Sequence, residues 1–332
     1  MEEDFRALVV DKKKEFSVSI KTLSLEDLPE DDITIEVAYS SVNYKDGLAS
    51  IPNGKIVKNY PFIPGIDLAG TVVSSNNNQF KKGDKVIATS YDIGVSHFGG
   101  FSEYARIKAD WIVPLPSNLT LKESMAYGTA GFTAALSVDQ IQKYNILPSS
   151  GDILVTGATG GVGSTAIAML SKLGYNVVAS TGKKSEYNYL KNLGASEIIS
   201  REEVNPEKVK PLEKQRWSAA IDTVGGETLG SILSSIKYGG VIAACGNTSG
   251  INFSTTVLPF ILRSINLLGI DSVNCPMSVR KSLWSRMSQE LKPESLLSNI
   301  GEEVTLEELP EALTNILKGG TRGRTIVSLK TP

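Results

Sequence analysis

Asp152–Gly174 reads DILVTGATGGVGSTAIAMLSKLG, and this stretch decides the fold. Ile153, Leu154 and Val155 make a short apolar strand, small residues and glycines make a turn, and the residues after Gly161 carry the spacing of an amphipathic helix. A strand that enters glycines and leaves as a helix is a phosphate cradle, because main-chain N–H groups at the helix start face an anion. Ala158, Gly160 and Gly163 occupy the G-x-G-x-x-G spacing with alanine in first place. The first small residue permits the tight turn, Gly160 lets the backbone approach a pyrophosphate, and Gly163 lets helix and strand pack closely. Thr159, Gly161 and Val162 complete the cradle. Glycines that merely pack a βα turn are the plainer reading, and the strands that follow favour a dinucleotide.

Downstream, NVVAST, SEIIS, AAIDTV, GVIAACG and NLLGID are short apolar strands, with helical stretches such as SEYNYLKNLGA between them. With DILVTGA they match the strand number of a doubly wound parallel sheet of Rossmann type, an α/β architecture. The end of the second strand selects the nucleotide. NAD enzymes place Asp or Glu there for the ribose 2′-hydroxyl, whereas this chain has Ser180, Thr181, Gly182, Lys183 and Lys184. Hydroxyls and cations suit a 2′-phosphate, so the expected cofactor is NADPH, with Arg201 closing over the same phosphate.

Upstream, FRALVV, FSVSI, DITIEVAYS, LAGTVVSS, DKVIATS and SEYARIKADWIVPLP read as strands bounded by Asn, Gly, Asp and Pro clusters. That pattern predicts a second, mainly antiparallel β domain, a partly open barrel. After Asp271 come helical segments and a last strand, RTIVSL, that returns to the first domain. The expected division is residues 1–124 plus 273–332 for the β domain and 125–272 for the cofactor domain.

Composition excludes several classes. Lys and Arg number 34 against 36 Asp and Glu, with no basic run, so nucleic acid is a poor partner. The opening MEEDFRALVV carries acids and no long apolar core, and no apolar run is long enough for a membrane span, so neither a signal peptide nor a membrane span is expected. Cys245, Cys275 and the single His97 are too few and too scattered for a four-ligand zinc site. The two cysteines offer no disulfide framework, which fits a reducing cytoplasm, and His97 in the loop-like SHFGG is expected to pack rather than act as a base.

SSVNYKDGLA (40–49), PFIPGIDLAGTV (61–72), GDKV (83–86), GGFSEYA (99–105), GTAGFTAALSV (128–138), TGATGGVGS (156–164), PFILRS (259–264), LLGIDSV (267–273) and RGRTIV (322–327) together give the chain a family likeness. It resembles the medium-chain dehydrogenase/reductase superfamily, and within it the zinc-free quinone oxidoreductase-like branch that includes NADPH-dependent acryloyl-CoA reductases. Zinc-dependent relatives carry a cysteine where this chain has Asn43, and Gly-His-Glu where it has Gly65-Ile66-Asp67. The resemblance therefore agrees with composition on no metal. It implies a GroES-like β domain, a cofactor lying in the cleft of a two-domain enzyme, and a nicotinamide reaching the β domain. It assigns Asn43 and Tyr44 to the nicotinamide end, Thr129 to the carboxamide, and Asn43, Tyr44 and Asp46 to the catalytic set. Gly246, Asn247, Ser272 and Arg324 join the cofactor set on the same ground. For Asp46 a helix cap, and for Tyr44 simple packing, are the plainer roles.

Without zinc or a histidine base, alcohol oxidation is disfavoured. Conjugate reduction asks less, because fixed N–H or O–H donors stabilise the enolate oxygen and water or Tyr44 protonates the α-carbon. The expected substrate is acryloyl-CoA or a related enoyl thioester. The alternatives are a quinone or general enone, and a nucleotide-binding protein without turnover. Arg263, Arg280 and Lys281 are open both as ligands of CoA phosphates and as helix or interface cations. STTVLPFILRSINLLGID reads as an apolar helix followed by an edge strand, and in the family that strand pairs with its symmetry mate, so a homodimer is expected.

Overall fold

The computed structural model describes residues 4–12, 15–294 and 296–329. Val- and Ile-rich segments between tight turns give β1 (Phe5–Asp11), β2 (Ser17–Leu23), β3 (Ile33–Val42), α1 (Tyr44–Ala49), β4 (Asp67–Ser75), β5 (Lys85–Thr89), β6 (Tyr104–Ile107) and β7 (Ile112–Pro114). Helices and strands then alternate: α2 (Leu121–Lys143), β8 (Ile153–Val155), α3 (Gly161–Lys172), β9 (Val177–Ser180), α4 (Tyr187–Asn192) and β10 (Glu197–Ile199). They continue as α5 (Arg201–Val204), β11 (Trp217–Asp222), α6 (Gly226–Ser235), β12 (Ile236–Ala244), α7 (Leu258–Arg263) and β13 (Asn266–Gly269). The remaining elements are α8 (Met277–Met287), α9 (Leu296–Ile300), β14 (Gly301–Thr305), α10 (Leu309–Leu317) and β15 (Arg324–Ser328).

The chain divides into two compact units. One comprises Met1–Thr129, Val273–Ser288 and Leu296–Pro332, and the other Ala130–Ser272 with Gln289–Ser295. The break thus falls five residues later than the sequence suggests, and Gln289–Ser295 goes with the second unit. The cause lies in the start of α2. Tyr127 is fully buried, donates its hydroxyl to the Met287 carbonyl at 3.0 Å and packs edge-on against Trp284.

In the first unit, β3 is the hub. It pairs antiparallel with β4, β6 and β15, in a sheet ordered β14-β15-β3-β4-β5-β7 with β6 off the path, while β1 and β2 form a separate ribbon. The β14–β15 pair is the parallel exception. Ile33, Ile35 and Val37 of β3 pack with Leu68 and Val72 of β4 and with Phe101 in a buried core, as a half-buried sheet requires. The stretch expected as one strand, SEYARIKADWIVPLP, is broken by a 3₁₀ turn at Ala109–Trp111, where the Asp32 carboxylate accepts the Ala109 N–H at 3.1 Å. β15 returns to β3 with Thr325 opposite Val42.

In the second unit, six strands run parallel in the order β10-β9-β8-β11-β12-β13. β8 is central and fully buried, so its three residues carry no alternation. The order reverses beside β8, and the crevice beyond the carboxyl ends of the strands at such a point is where this topology takes ligands.

Candidate functional site

Two constellations carry the chemistry, one in each unit. In the second unit the β8–α3 turn has the form expected from its glycines. Gly157 takes φ +56°, the Ala158 N–H donates to the Ser180 carbonyl at 3.2 Å, and Gly160 caps α3. A Cβ on Gly163 would meet the Gly157 carbonyl oxygen and come within 2.9 Å of the Ala158 Cα, which is the close helix–strand packing inferred from the spacing. A Cβ on Gly160 would meet only the Gly157 carbonyl oxygen, at 3.3 Å. The backbone there is open to a phosphate and would be screened by any side chain.

Beside this turn lies a cavity of about 260 Å³ at the carboxyl edge of the sheet. Thr159, Ser180, Thr181 and Arg201 line it, as the sequence suggests. Arg201 opens α5 behind a Ser200 cap, and its guanidinium lies so close to Gly182 that a Cβ there would sit 2.9 Å from Nε. No Asp or Glu lines the cavity, so an added phosphate meets hydroxyls and one guanidinium. Lys183 is not among the lining residues; its N–H donates to the Thr181 hydroxyl at 3.1 Å. Gly246 and Asn247 follow β12 and Ser272 follows β13, all beyond the same carboxyl edge.

Val224, Thr228, Thr248 and Ser249 also line the cavity and were not marked by the sequence. The available signal was the glycine pair closing β11, since Gly225 and Gly226 both take positive φ. Asp222, fully buried, ties the two loops: it accepts the Thr156 hydroxyl at 2.6 Å and the Gly225 N–H at 2.9 Å. Burial pushes its carboxyl above the usual range, and the bonds from Thr156, Gly225 and Val224 oppose that. Cys245, mostly buried near Asp222, has its thiol pushed up to about 12 by burial, so it is a poor nucleophile.

In the first unit a buried polar cluster gathers around Asp67, a residue the sequence did not mark as functional. Asp67 Oδ2 accepts the Ser41 hydroxyl and the Asn43 amide, each at 2.7 Å, and the Thr129 N–H at 2.9 Å. Oδ1 accepts the Thr129 hydroxyl at 2.5 Å. Arg324 Nη2 donates to the Ser41 hydroxyl at 2.7 Å and lies 3.6 Å from Asp67 Oδ2. Arg324 Nη1 donates to the Val42 carbonyl and to Asn43 Oδ1 at 3.1 Å. Burial lowers the proton affinity of the Arg324 guanidinium, and Asp67 and Asp46 counter it.

Gly128 makes this possible. It interrupts α2 at φ +52° and ψ −155°, a conformation open essentially only to glycine, and so turns the Thr129 N–H toward Asp67. Asp46 is the third residue of α1 and reaches back to the Asn43 N–H at 2.8 Å, while its other oxygen accepts the Ile66 N–H at 2.9 Å. Burial first and Asp67 second push its carboxyl up to about 7.

Asn43 Oδ1 and Nδ2 are both engaged inside the unit, and the Arg324 and Asp46 side chains are buried with them. The three side chains form a frame bonded within the unit. Tyr44, on the first turn of α1, is 49% exposed, and Thr129, bonded to Asp67, is partly exposed. The three cations left open by the sequence divide. Arg263 donates to the Ser234, Ile236 and Glu213 carbonyls; Arg280 is fully buried on the Thr89 and Val273 carbonyls with its guanidinium 4.4 Å over the Tyr91 ring; Lys281 is exposed. His97 is held by Asp31 at 2.6 Å and the Phe98 carbonyl at 2.8 Å, edge-on to Trp111, which is a packing role.

The same cluster decides whether the chain suits zinc. Zinc takes thiolate and imidazole before other ligands, but the positions that supply them in zinc-dependent relatives hold a bonded amide, an isoleucine and a carboxylate tied to four donor groups. This donor set does not fit the metal.

Residues 29–117 match the family described as alcohol dehydrogenase GroES-like domain, and residues 161–289 match zinc-binding dehydrogenase. YhfP of Bacillus subtilis, named as a quinone oxidoreductase, is 57% identical over 98% of this chain and 99% of its own. The crystal structure of Bacillus subtilis yhfP with NAD bound superposes with a TM-score of 0.96, covering 98% of this chain and 99% of that one. The acrylyl-CoA reductase AcuI of Ruegeria pomeroyi is 46% identical over 98% of this chain and 99% of its own. The yhdH oxidoreductase of Salmonella enterica, crystallised with NADP, is 45% identical with a TM-score of 0.95, covering 98% of this chain and all of that one. Likeness at this level runs through both units, and the chain belongs to the medium-chain dehydrogenase/reductase superfamily.

Proposed function

We propose that the chain is an NADPH-dependent reductase of activated carbon–carbon double bonds, with acryloyl-CoA or a related enoyl thioester as substrate. The observation that carries the cofactor is the cavity lined by Ser180, Thr181 and Arg201 with no carboxylate, which suits a 2′-phosphate. The glycine-lined turn and Thr159 take the pyrophosphate, and Gly182, Lys183, Gly246, Asn247 and Ser272 flank the nucleotide. Likeness to an acrylyl-CoA reductase along the whole chain supports the substrate.

Bound NADPH supplies a hydride to the β-carbon of the alkene. The task of this chain is to hold the reacting groups and manage the proton. Negative charge develops on the thioester oxygen, and fixed donors stabilise it. Tyr44, 49% exposed, brings a hydroxyl that stabilises the oxygen or protonates the α-carbon, and Thr129 orients the nicotinamide from the frame of Asn43, Asp46 and Arg324.

A second reading, a quinone oxidoreductase, is favoured by the name carried by YhfP. Steady-state NADPH oxidation with acryloyl-CoA, a simple quinone and a free enone, with and without chelator, tests both. Thioester turnover unaffected by chelator is expected. Quinone turnover far above thioester turnover makes the second reading the better one, and NADPH binding without turnover makes the chain a nucleotide-binding protein.

The working form is proposed to be a soluble cytoplasmic homodimer. Among the described residues no helix is long and apolar enough to cross a membrane, and neither cysteine is in a disulfide. β13 is an edge strand, and Val257, Ile261 and Leu262 on and beside α7 are exposed. Sedimentation at micromolar concentration should give a dimer, and a monomer alone rules it out.

A further inference from the structure

We propose that Gly182 is a specificity-determining residue: the bare face it leaves beside the nucleotide cavity is what lets the Arg201 guanidinium lie where a 2′-phosphate would be met. The proposal rests on the reading of that cavity as the place of the phosphate, and it names the residue that sets the cation there. Gly182, Arg201 and the cavity lining all belong to the second unit.

Three consecutive atoms of the Arg201 side chain cross the place where a Cβ on Gly182 would stand, Cδ at 3.2 Å, Nε at 2.9 Å and Cζ at 3.0 Å. Non-bonded heavy atoms settle at about 3.5–4.0 Å, so a methyl group and this path of the side chain exclude each other. Which of the two yields depends on how each is held. The Gly182 backbone is pinned on both sides, since the Thr181 N–H donates to the Ile199 carbonyl at 3.1 Å and the Lys183 N–H to the Thr181 hydroxyl at 3.1 Å. The Arg201 backbone is pinned as well. Ser200 Oγ accepts the Glu203 N–H at 3.3 Å, Glu203 accepts the Ser200 N–H at 3.0 Å, and the Arg201 carbonyl accepts the Asn205 N–H at 2.9 Å.

The Arg201 side chain is what remains free to move. It is exposed, and the acid its charge reaches is the exposed Glu202 beside it in α5. Gly182 lies outside the left-handed region, so an alanine there adds no backbone strain. Gly182→Ala therefore leaves the fold intact and turns the guanidinium away from its place. A guanidinium recognises phosphate through aimed N–H groups, and its charge alone, farther off and in water, is screened. Among the described residues Arg201 is the one charged side chain lining the cavity, so its aim carries the discrimination between a phosphate and a hydroxyl.

Dissociation constants for NADPH and NADH come from fluorescence titration of the native chain, Gly182→Ala, Arg201→Ala and the double variant, all full-length and with no turnover required. The native chain should favour NADPH. Gly182→Ala should cut that preference roughly tenfold, the low end of what one charge-assisted bond is worth, because the displaced cation stays in the neighbourhood. Gly182→Val should cut it at least as far. The double variant should show the preference of Arg201→Ala alone, since the methyl group then has no guanidinium to displace. An unchanged preference in Gly182→Ala overturns the proposal, and so does an equal weakening of both cofactors, the mark of a merely structural change. A double variant that falls below Arg201→Ala also overturns it, because Gly182 then acts by a contact of its own. Failure of the cofactor reading looks different, since the native chain then binds the two cofactors alike before any substitution is made.

Discussion

Gly128→Ala should be among the most damaging single-methyl changes available in this chain. At φ +52° and ψ −155° the backbone sits in a region that a residue with a Cβ enters only at a cost of about 1–3 kcal/mol. The added carbon would meet the Ser41 hydroxyl, lie 2.5 Å from Asp67 Oδ2 and lie 2.6 Å from Arg324 Nη2. These atoms are not the free ends of flexible side chains. Asp67 is held by Ser41, Asn43 and Thr129, and Arg324 by Val42, Asn43 and Ser41, so making room means breaking at least one charge-assisted bond, worth about 1.5–3 kcal/mol. Strain and lost bonding together come to roughly 3–5 kcal/mol. Gly160→Ala is the internal control: its φ is −79° and its Cβ would meet one carbonyl oxygen at 3.3 Å, so a change under about 1 kcal/mol is expected. Urea unfolding of the native chain and both variants, read as midpoints at constant m, measures the difference. A Gly128→Ala midpoint as high as that of Gly160→Ala would refute the claim that Gly128 makes the close approach possible.

Removing the Arg201 guanidinium (Arg201→Ala) should weaken NADPH by about ten- to a hundredfold and leave NADH nearly unchanged, and Lys183→Glu should also reduce the preference; equal affinity of the native chain for the two cofactors sinks the assignment. Gly160→Val should fold and lose NADPH in a fluorescence titration, whereas Gly163→Val should lose stability first, because its Cβ has the Ala158 backbone at 2.9 Å. A Gly160→Val variant that binds NADPH normally removes the pyrophosphate from that turn. The Asp46 carboxyl, raised to about 7 in the folded chain, binds its proton more tightly there than when unfolded. Its contribution, on the order of 4 kcal/mol at 1.36 kcal/mol per pKa unit, is present in full below about pH 4 and is lost as pH rises through about 7. Subtracting the stability–pH curve of Asp46→Asn from the native curve should expose that slope, and a flat difference between pH 4 and 7 contradicts it.

What could be read from the sequence is what depends on neighbours along the chain. The β8–α3 cradle lies within Asp152–Gly174, and its glycine roles follow from spacing alone. The six parallel strands announce themselves as short apolar runs, and the missing acid at Ser180 speaks for the nucleotide without any knowledge of packing. The Asp67 cluster is of another kind. Its members lie at 41, 43, 46, 67, 129 and 324, and they meet only because β15 pairs with β3 and β3 with β4. Nothing local to Arg324 distinguishes a buried guanidinium from a surface one, and the same is true of Arg280. Gly128 leaves the helical region within α2, one residue before the division at Thr129.

The cluster gathers residues that the family likeness marked and others that it did not. Asn43 and Thr129 both bond to Asp67, but with different consequences. Asn43 gives its amide to Asp67 and takes Arg324 on its oxygen, so its side chain is used up within the frame. Thr129 gives Asp67 its N–H and its hydroxyl proton at a partly exposed position. A buried ion pair costs several kcal/mol in desolvation and is weak evidence for stability in itself. Its value here is that Arg324 and Asp67 together hold the Asn43 amide in one orientation. Preorganisation of that kind acts on turnover through the groups it positions. Asn43→Ala should therefore lower stability and turnover together, because it removes a member of the frame, whereas Tyr44→Phe should lower turnover at unchanged stability. Urea midpoints beside rates of NADPH oxidation separate the two, and an Asn43→Ala variant that keeps its stability while losing turnover would return the amide to direct contact with the reacting groups.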